Sequence, residues 1–116
     1  MQHEKINYLE FPASNLAKVK GFFETVFSFE FIDYGPEYTA FNNAGIDGGF
    51  YYSKNVMATT TGSALVVFYS ENLAETQNKI IAAGGKVVVE TFEFPGGKRF
   101  HFSDPCGNEF AVWSDK

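Results

Sequence analysis

Phe102-Ser103-Asp104-Pro105-Cys106-Gly107-Asn108-Glu109-Phe110 reads as a tight turn between two strands. Proline at the second turn position fixes φ, aspartate at the first accepts from backbone N–H groups beyond it, and glycine at the fourth tolerates positive φ. Lys98 to Ser103 is extended in character, and Glu109 to Trp113 shows the pattern of a half-buried strand. The chain therefore ends in a hairpin.

Upstream of that hairpin, Ala64 to Tyr69 reads as a strand, Leu73 to Ala83 as a helix stopped by Gly84-Gly85, and Lys86 to Glu90 as a strand. The first half of the chain repeats the order. Ile6 to Phe11 has strand formers and is closed by Pro12, which cannot donate to a ladder. Ser14 or Asn15 can cap a helix in which Leu16, Val19, Phe22, Phe23, Val26 and Phe27 recur at three- and four-residue spacing. Phe29 to Asp33, Tyr38 to Phe41 and Gly48 to Tyr52 follow as strands, with a turn at Gly35-Pro36. Residues 53–62 are polar and aperiodic, so they read as a connector. Asn15-Leu16-Ala17-Lys18 and Asn72-Leu73-Ala74-Glu75 open the two helices with nearly the same residues. The sequence predicts an α+β fold of tandem βαβββ units, about 5–53 and 63–115, in one domain spanning 1–116.

Composition narrows the function. Fourteen Phe, six Tyr and 45% hydrophobic residues in 116 give one compact core and little room for a second. A net charge of −5 without clustered Lys or Arg disfavours nucleic acid and anionic membranes. Cys106, the single cysteine, excludes an internal disulfide and a cysteine-only metal cluster. No apolar run approaches the roughly 20 residues of a membrane span, and Met1 to Lys5 does not lead into a signal core. A cytoplasmic protein is expected.

The paired units and their wording resemble the glyoxalase, bleomycin-resistance and extradiol dioxygenase proteins of the vicinal oxygen chelate superfamily. Ile6 to Pro12, the Phe22-Phe23 to Val26-Phe27 helix end, Gly48-Gly49-Phe50 and the Asp104 to Asn108 turn resemble its glyoxalase-related branch, over essentially the whole chain. Ser28 departs from the pattern, since relatives usually place glycine after the first helix. Serine there is expected in a left-handed conformation at a cost of roughly 1 kcal/mol.

The resemblance implies a cup of curved sheets and, in metal-using relatives, four ligands from the first and last strand of each unit. Carried onto this sequence, those places are Tyr8, Tyr51, Leu65 and Ala111. Leucine and alanine offer no donor, and a phenol is a poor ligand for divalent metals near neutral pH. A one-residue shift gives Leu9, Phe50, Val66 and Val112, which are no better, whereas a two-residue shift reaches Glu10 and Glu109. The metal site is expected to be lost, with no cofactor.

Strand alternation sends Leu9 and Phe11 to the helices and Tyr8 and Glu10 to the cup. It likewise turns Leu65, Val67, Tyr69, Arg99, His101, Glu109, Ala111 and Trp113 inward. Tyr8, Tyr51, Leu65, Tyr69, Arg99, Ala111 and Trp113 are thus the candidate ligand-binding residues, and Glu10 and His101 the candidate proton carriers. Apolar walls with few polar anchors suit a small molecule. The bland alternatives are a solvated Glu10 and Arg99, a half-exposed strand histidine at 101 and aromatic residues that only fill core. Pro95-Gly96-Gly97 is either a loop over the cup or a hairpin turn, and the Cys106 thiol is expected to be ordinary. The sequence favours a ligand-binding protein, ahead of a lyase- or dioxygenase-like enzyme working without metal. A regulatory module is the third reading. By resemblance, the chain is expected to pair as a homodimer.

Overall fold

A computed structural model describes all residues, 1–116. The elements are β1 (Tyr8–Ala13), α1 (Leu16–Phe27), β2 (Glu30–Asp33), β3 (Tyr38–Asn42), β4 (Asp47–Tyr52), β5 (Val66–Tyr69), α2 (Leu73–Ala82), β6 (Lys86–Phe94), β7 (Gly97–Ser103) and β8 (Glu109–Ser114). A single 3-10 turn, Thr59–Thr61, interrupts the connector. The strands form two four-stranded sheets of one topology, β1-β4-β3-β2 and β5-β8-β7-β6. In each, the first and last strands of the unit run parallel and the other neighbours antiparallel. The tandem βαβββ reading holds.

Both helices start on the asparagine that the repeat singles out. Asn15 Oδ1 accepts from the Lys18 N–H at 3.1 Å, and Asn72 Oδ1 from the Glu75 N–H at 3.1 Å, each satisfying a donor that the helix leaves free. α1 ends at Ser28, which sits at φ 59° and ψ 29° and donates its N–H to the Glu24 carbonyl. Asn43 Nδ2 donates to the Ser28 carbonyl at 2.9 Å and ties down the left-handed residue.

The apolar face of α1 buries Val19, Phe22, Phe23 and Val26. Phe23 lies 5.4 Å from Phe50 in the first sheet and 5.4 Å from Phe110 in the second, centroid to centroid. Phe27 stacks on Phe68 at 4.1 Å. One aromatic core therefore joins both units, as the composition requires.

The Asp104–Asn108 turn couples the units at their ends. Asp104 Oδ1 accepts from the Cys106 and Asn108 N–H groups at 2.8 and 3.1 Å. Asn108 Nδ2 donates to Asp104 Oδ2 at 3.1 Å and to the Pro12 carbonyl of β1 at 2.7 Å, while its Oδ1 accepts from the Met57 N–H at 2.9 Å. A fully buried side chain thus links β1, the connector and the last hairpin.

Local boundaries shift, and one open alternative is resolved. β6 runs on to Phe94 instead of stopping at Glu90, because Phe94 pairs with Gly97 and closes a hairpin. Pro95-Gly96 is therefore a hairpin turn, with Gly96 at φ 108°, and not a loop over a cup. Leu65 precedes β5, which starts at Val66. No helix is long and apolar enough to cross a membrane.

Candidate functional site

The face of the first sheet turned away from the helices carries a hydroxyl network. Gly49 makes it possible: a Cβ there would lie 2.2 Å from the Tyr38 hydroxyl, so only glycine lets that ring lie across the sheet. Tyr38 donates to Glu10 Oε2 at 2.9 Å, and the Tyr8 hydroxyl, 2.6 Å away, donates to Tyr38. Burial, followed by the hydrogen bonds with Tyr8 and Glu10, pushes the Tyr38 phenol far above its ordinary value. Tyr51 stands opposite Tyr38 across β3 and β4. Glu10 and Tyr8 are exposed, so Glu10 is a hydrogen-bonded surface carboxylate. Sequence reading missed Tyr38; the cue was Gly49, two register positions from it on the neighbouring strand.

The corresponding face of the second sheet holds a buried pair. His101, 7% exposed, has Nδ1 2.7 Å from Glu109 Oε2. Glu109 Oε1 accepts from the Thr59 N–H at 2.9 Å and the Thr59 hydroxyl at 3.0 Å. Burial alone would raise the Glu109 carboxyl, but the hydrogen bonds from His101 and Thr59 outweigh it and hold the group below the usual range. An ionised Glu109 fixes the proton of a neutral His101 on Nδ1 and leaves a lone pair on Nε2. The expectation of a half-exposed histidine fails because β7 and β8 place Glu109 beside it.

His101 Nε2 and Arg99 Nε are the two buried side-chain polar atoms without a hydrogen-bond partner. They belong to alternate residues of β7 and share Phe92 as a wall: the guanidinium carbon lies 5.2 Å from that ring's centroid, and the imidazole centroid 6.2 Å. Phe94 lies 5.9 Å from the same guanidinium and 6.3 Å from Trp113. Tyr69 packs edge-on against Trp113 at 5.2 Å and donates to Asp115 at 2.5 Å, a bond that, ahead of burial, pushes its phenol up to about 12.

The structure thus divides the candidate residues. Arg99, His101, Tyr69 and Trp113 gather on the second sheet with Phe92, Phe94 and Glu109, which were not in the candidate set. Tyr8, Glu10 and Tyr51 gather on the first, and no hydrogen bond joins the two groups. Ala111 is completely buried, so it presents no surface to a ligand, and Leu65 is half-buried outside the strand. None of the cavities is lined by Glu10, Arg99, His101 or Trp113. The aromatic hollow is instead a cavity of about 320 Å³ between the two sheets on their helix side, reached by Tyr69 and Val67 at the β5 edge.

The residues at the four family ligand places do not fit a divalent metal. Leu65 and Ala111 offer no donor, and the Tyr8 hydroxyl is engaged with Tyr38. No group of three or more His, Cys, Asp or Glu side chains converges elsewhere.

Comparison with known proteins gives the family. Residues 5–112 match the family model described as the glyoxalase/bleomycin resistance protein/dioxygenase superfamily. No curated protein matches the chain in sequence. Among solved structures, a glyoxalase/bleomycin resistance protein/dioxygenase family enzyme from Burkholderia phytofirmans is similar at TM-score 0.78 and 16% identity, covering 95% of this chain and 98% of that one. A fosfomycin resistance protein from Listeria monocytogenes gives TM-score 0.79 at 17% identity, over 97% and 94%. Lactoylglutathione lyase from Agrobacterium tumefaciens gives 0.70 at 19%, over 96% and 93%. At such identities the structures speak for the fold alone, and it is the match over nearly the whole sequence, with the paired βαβββ sheets, that makes the chain a member of the glyoxalase/bleomycin resistance protein/dioxygenase superfamily.

Proposed function

We propose that this protein binds a small, planar, oxygen-bearing molecule on the aromatic face of its second sheet, without a metal ion. The observation that carries this reading is the pair of unpartnered buried atoms, Arg99 Nε and His101 Nε2, side by side under Phe92. A buried polar atom left unpaired costs on the order of 1–3 kcal/mol, and a ligand that supplies both bonds recovers that energy. Arg99 would donate to a carboxylate, carbonyl or enolate oxygen, and His101 would accept from a hydroxyl, while Phe94 and Trp113 provide flat walls. Phe92 is 38% exposed and directly follows two register shifts in β6, between Val87 and Val89 and between Val89 and Phe92. Turning that ring aside opens the site.

A second reading, a metal-free enzyme, is favoured by one feature. Glu109 holds His101 through Nδ1 and leaves Nε2 unpartnered, the arrangement a general base needs. The faces turned away from the helices leave Tyr8, Tyr51, Tyr69 and Phe92 part-exposed in the single chain, so we further propose that a second copy covers them.

Titrating isotopically labelled protein with planar hydroxy acids tests the binding reading. Shifts are expected in the His101 and Trp113 ring signals, and loss of binding in Arg99→Leu and His101→Leu. Binding that survives both substitutions would sink it.

A further inference from the structure

The cavity between the sheets is separate from the His101 face and suits another class of ligand. All twelve residues lining its roughly 320 Å³ are apolar or aromatic, among them Leu9, Phe41 and Phe110. A cavity of about 150 Å³ accommodates one benzene ring, so this one has room for a bicyclic ring or a short alkyl chain. It offers an acid nothing. The Tyr69 hydroxyl, its one side-chain polar group, already donates to Asp115.

At Ala44 and Ile46 the cavity meets a polar hollow lined by the same two residues with Asn7, Asn43 and Asp47. Asp47 is the one charged side chain in that hollow. It is exposed, and its carboxylate has no hydrogen-bond or ion-pair partner in the chain. Asn43 spends its Nδ2 on Ser28. An apolar chamber with a free carboxylate at its mouth, in a chain of net charge −5, selects for a neutral body carrying a positive head.

We propose that this cavity binds an amphiphilic monoamine, with a bicyclic aromatic or short alkyl body among Leu9, Phe41, Val66 and Phe110 and its ammonium group at Asp47. Three probes of one shape decide it by calorimetry at low salt and neutral pH: 1-naphthylmethylamine, 1-naphthalenemethanol and 1-naphthoic acid. The amine is expected to bind about threefold more tightly than the alcohol, the gain typical of an exposed ion pair, and the acid most weakly.

Ala44→Leu narrows the cavity and should cost the amine at least about tenfold in affinity, the loss expected when a ring can no longer be buried. Asp47→Asn should erase the preference for the amine while leaving the alcohol bound. His101→Asn should change none of the three, which separates this site from the one proposed above. If Ala44→Leu fails to fold, carbon-13 methyl shifts decide instead: the amine should move the Val66 and Ile46 methyls. No binding, binding indifferent to Asp47→Asn, an acid that binds as well as the amine, or methyl shifts confined to other residues would each overturn the proposal. A second copy seated over the cavity would appear as absent binding in a dimeric sample, which also overturns it.

Discussion

Two carboxylates at the last turn respond to pH in opposite directions, although they lie five residues apart. Burial, stronger than the N–H groups of Asn108, Cys106 and Gly107 that oppose it, raises Asp104 to about 6. The fold therefore holds the proton more tightly than the unfolded chain does, so this contribution to stability is present below the unfolded value near 3.8 and lost as pH rises through about 6. It is on the order of 2–3 kcal/mol. Glu109 is held low, so its contribution is present above its unfolded value near 4.5 and lost as pH falls through the folded one. The two together place a stability maximum near pH 5, by rough interpolation between those titrations. Urea unfolding from pH 4 to 8 should show it, and Asp104→Asn should flatten the limb between pH 5 and 7. A wild-type curve that rises steadily to pH 7 would show that the N–H donors, not burial, govern Asp104. Glu109→Gln keeps the shape but loses the charge-assisted bond to His101, at a cost of about 1–3 kcal/mol. It should also release the Nδ1 tautomer, which nitrogen-15 shifts of the imidazole report directly.

At the scale of the elements, strain and space are local enough to predict. Ser28→Gly relieves a left-handed serine at φ 59° and should stabilise the protein by about 1 kcal/mol, less the extra freedom glycine brings to the unfolded chain. Thermal unfolding measures the difference; a loss of stability would mean that serine is comfortable where Asn43 holds it. Gly49→Ala should act on the hydroxyl network, because its Cβ needs the space of the Tyr38 ring. Expelling Tyr38 from Glu10 should lower its phenol towards ordinary values, visible as an earlier rise in ultraviolet absorbance during an alkaline titration. Most elements were legible in sequence, since turn chemistry and apolar period are written residue by residue. The Asp104–Asn108 turn and the paired asparagine caps follow that rule, whereas the left-handed Ser28 was expected from the family resemblance. What was not legible depends on partners far away in the chain. Asn108 reads as a turn residue, yet it binds Pro12 from 96 positions away. His101 reads as a half-exposed strand residue until Glu109 and the Thr59 connector are folded onto it, and β6 outran its predicted end because Gly97 pairs with Phe94.

For the whole molecule, alternation assigns each strand two faces but cannot say whether those faces meet. Each sheet keeps its own polar network, the aromatic core lies between sheets and helices, and the outward faces leave Tyr8, Tyr51, Tyr69 and Phe92 between 38% and 48% exposed. Half-exposed aromatic residues on both outward faces of a chain of 12.9 kDa are apolar surface that a partner would cover. Sedimentation equilibrium should therefore give twice the mass of the chain, with a dissociation constant that rises in Tyr51→Arg, where a guanidinium replaces a ring on the outward face of β4. The same samples should contain metal well below one equivalent, because the family ligand places hold Leu65 and Ala111 in each copy and a second copy brings only more of the same. A dimer carrying one tightly held ion per chain would redirect attention to Glu10, Glu109 and His101, the donors that two copies could bring together. A monomer at tens of micromolar would leave both outward faces open to solvent, and the His101 face would then have to bind its ligand with the walls of a single sheet.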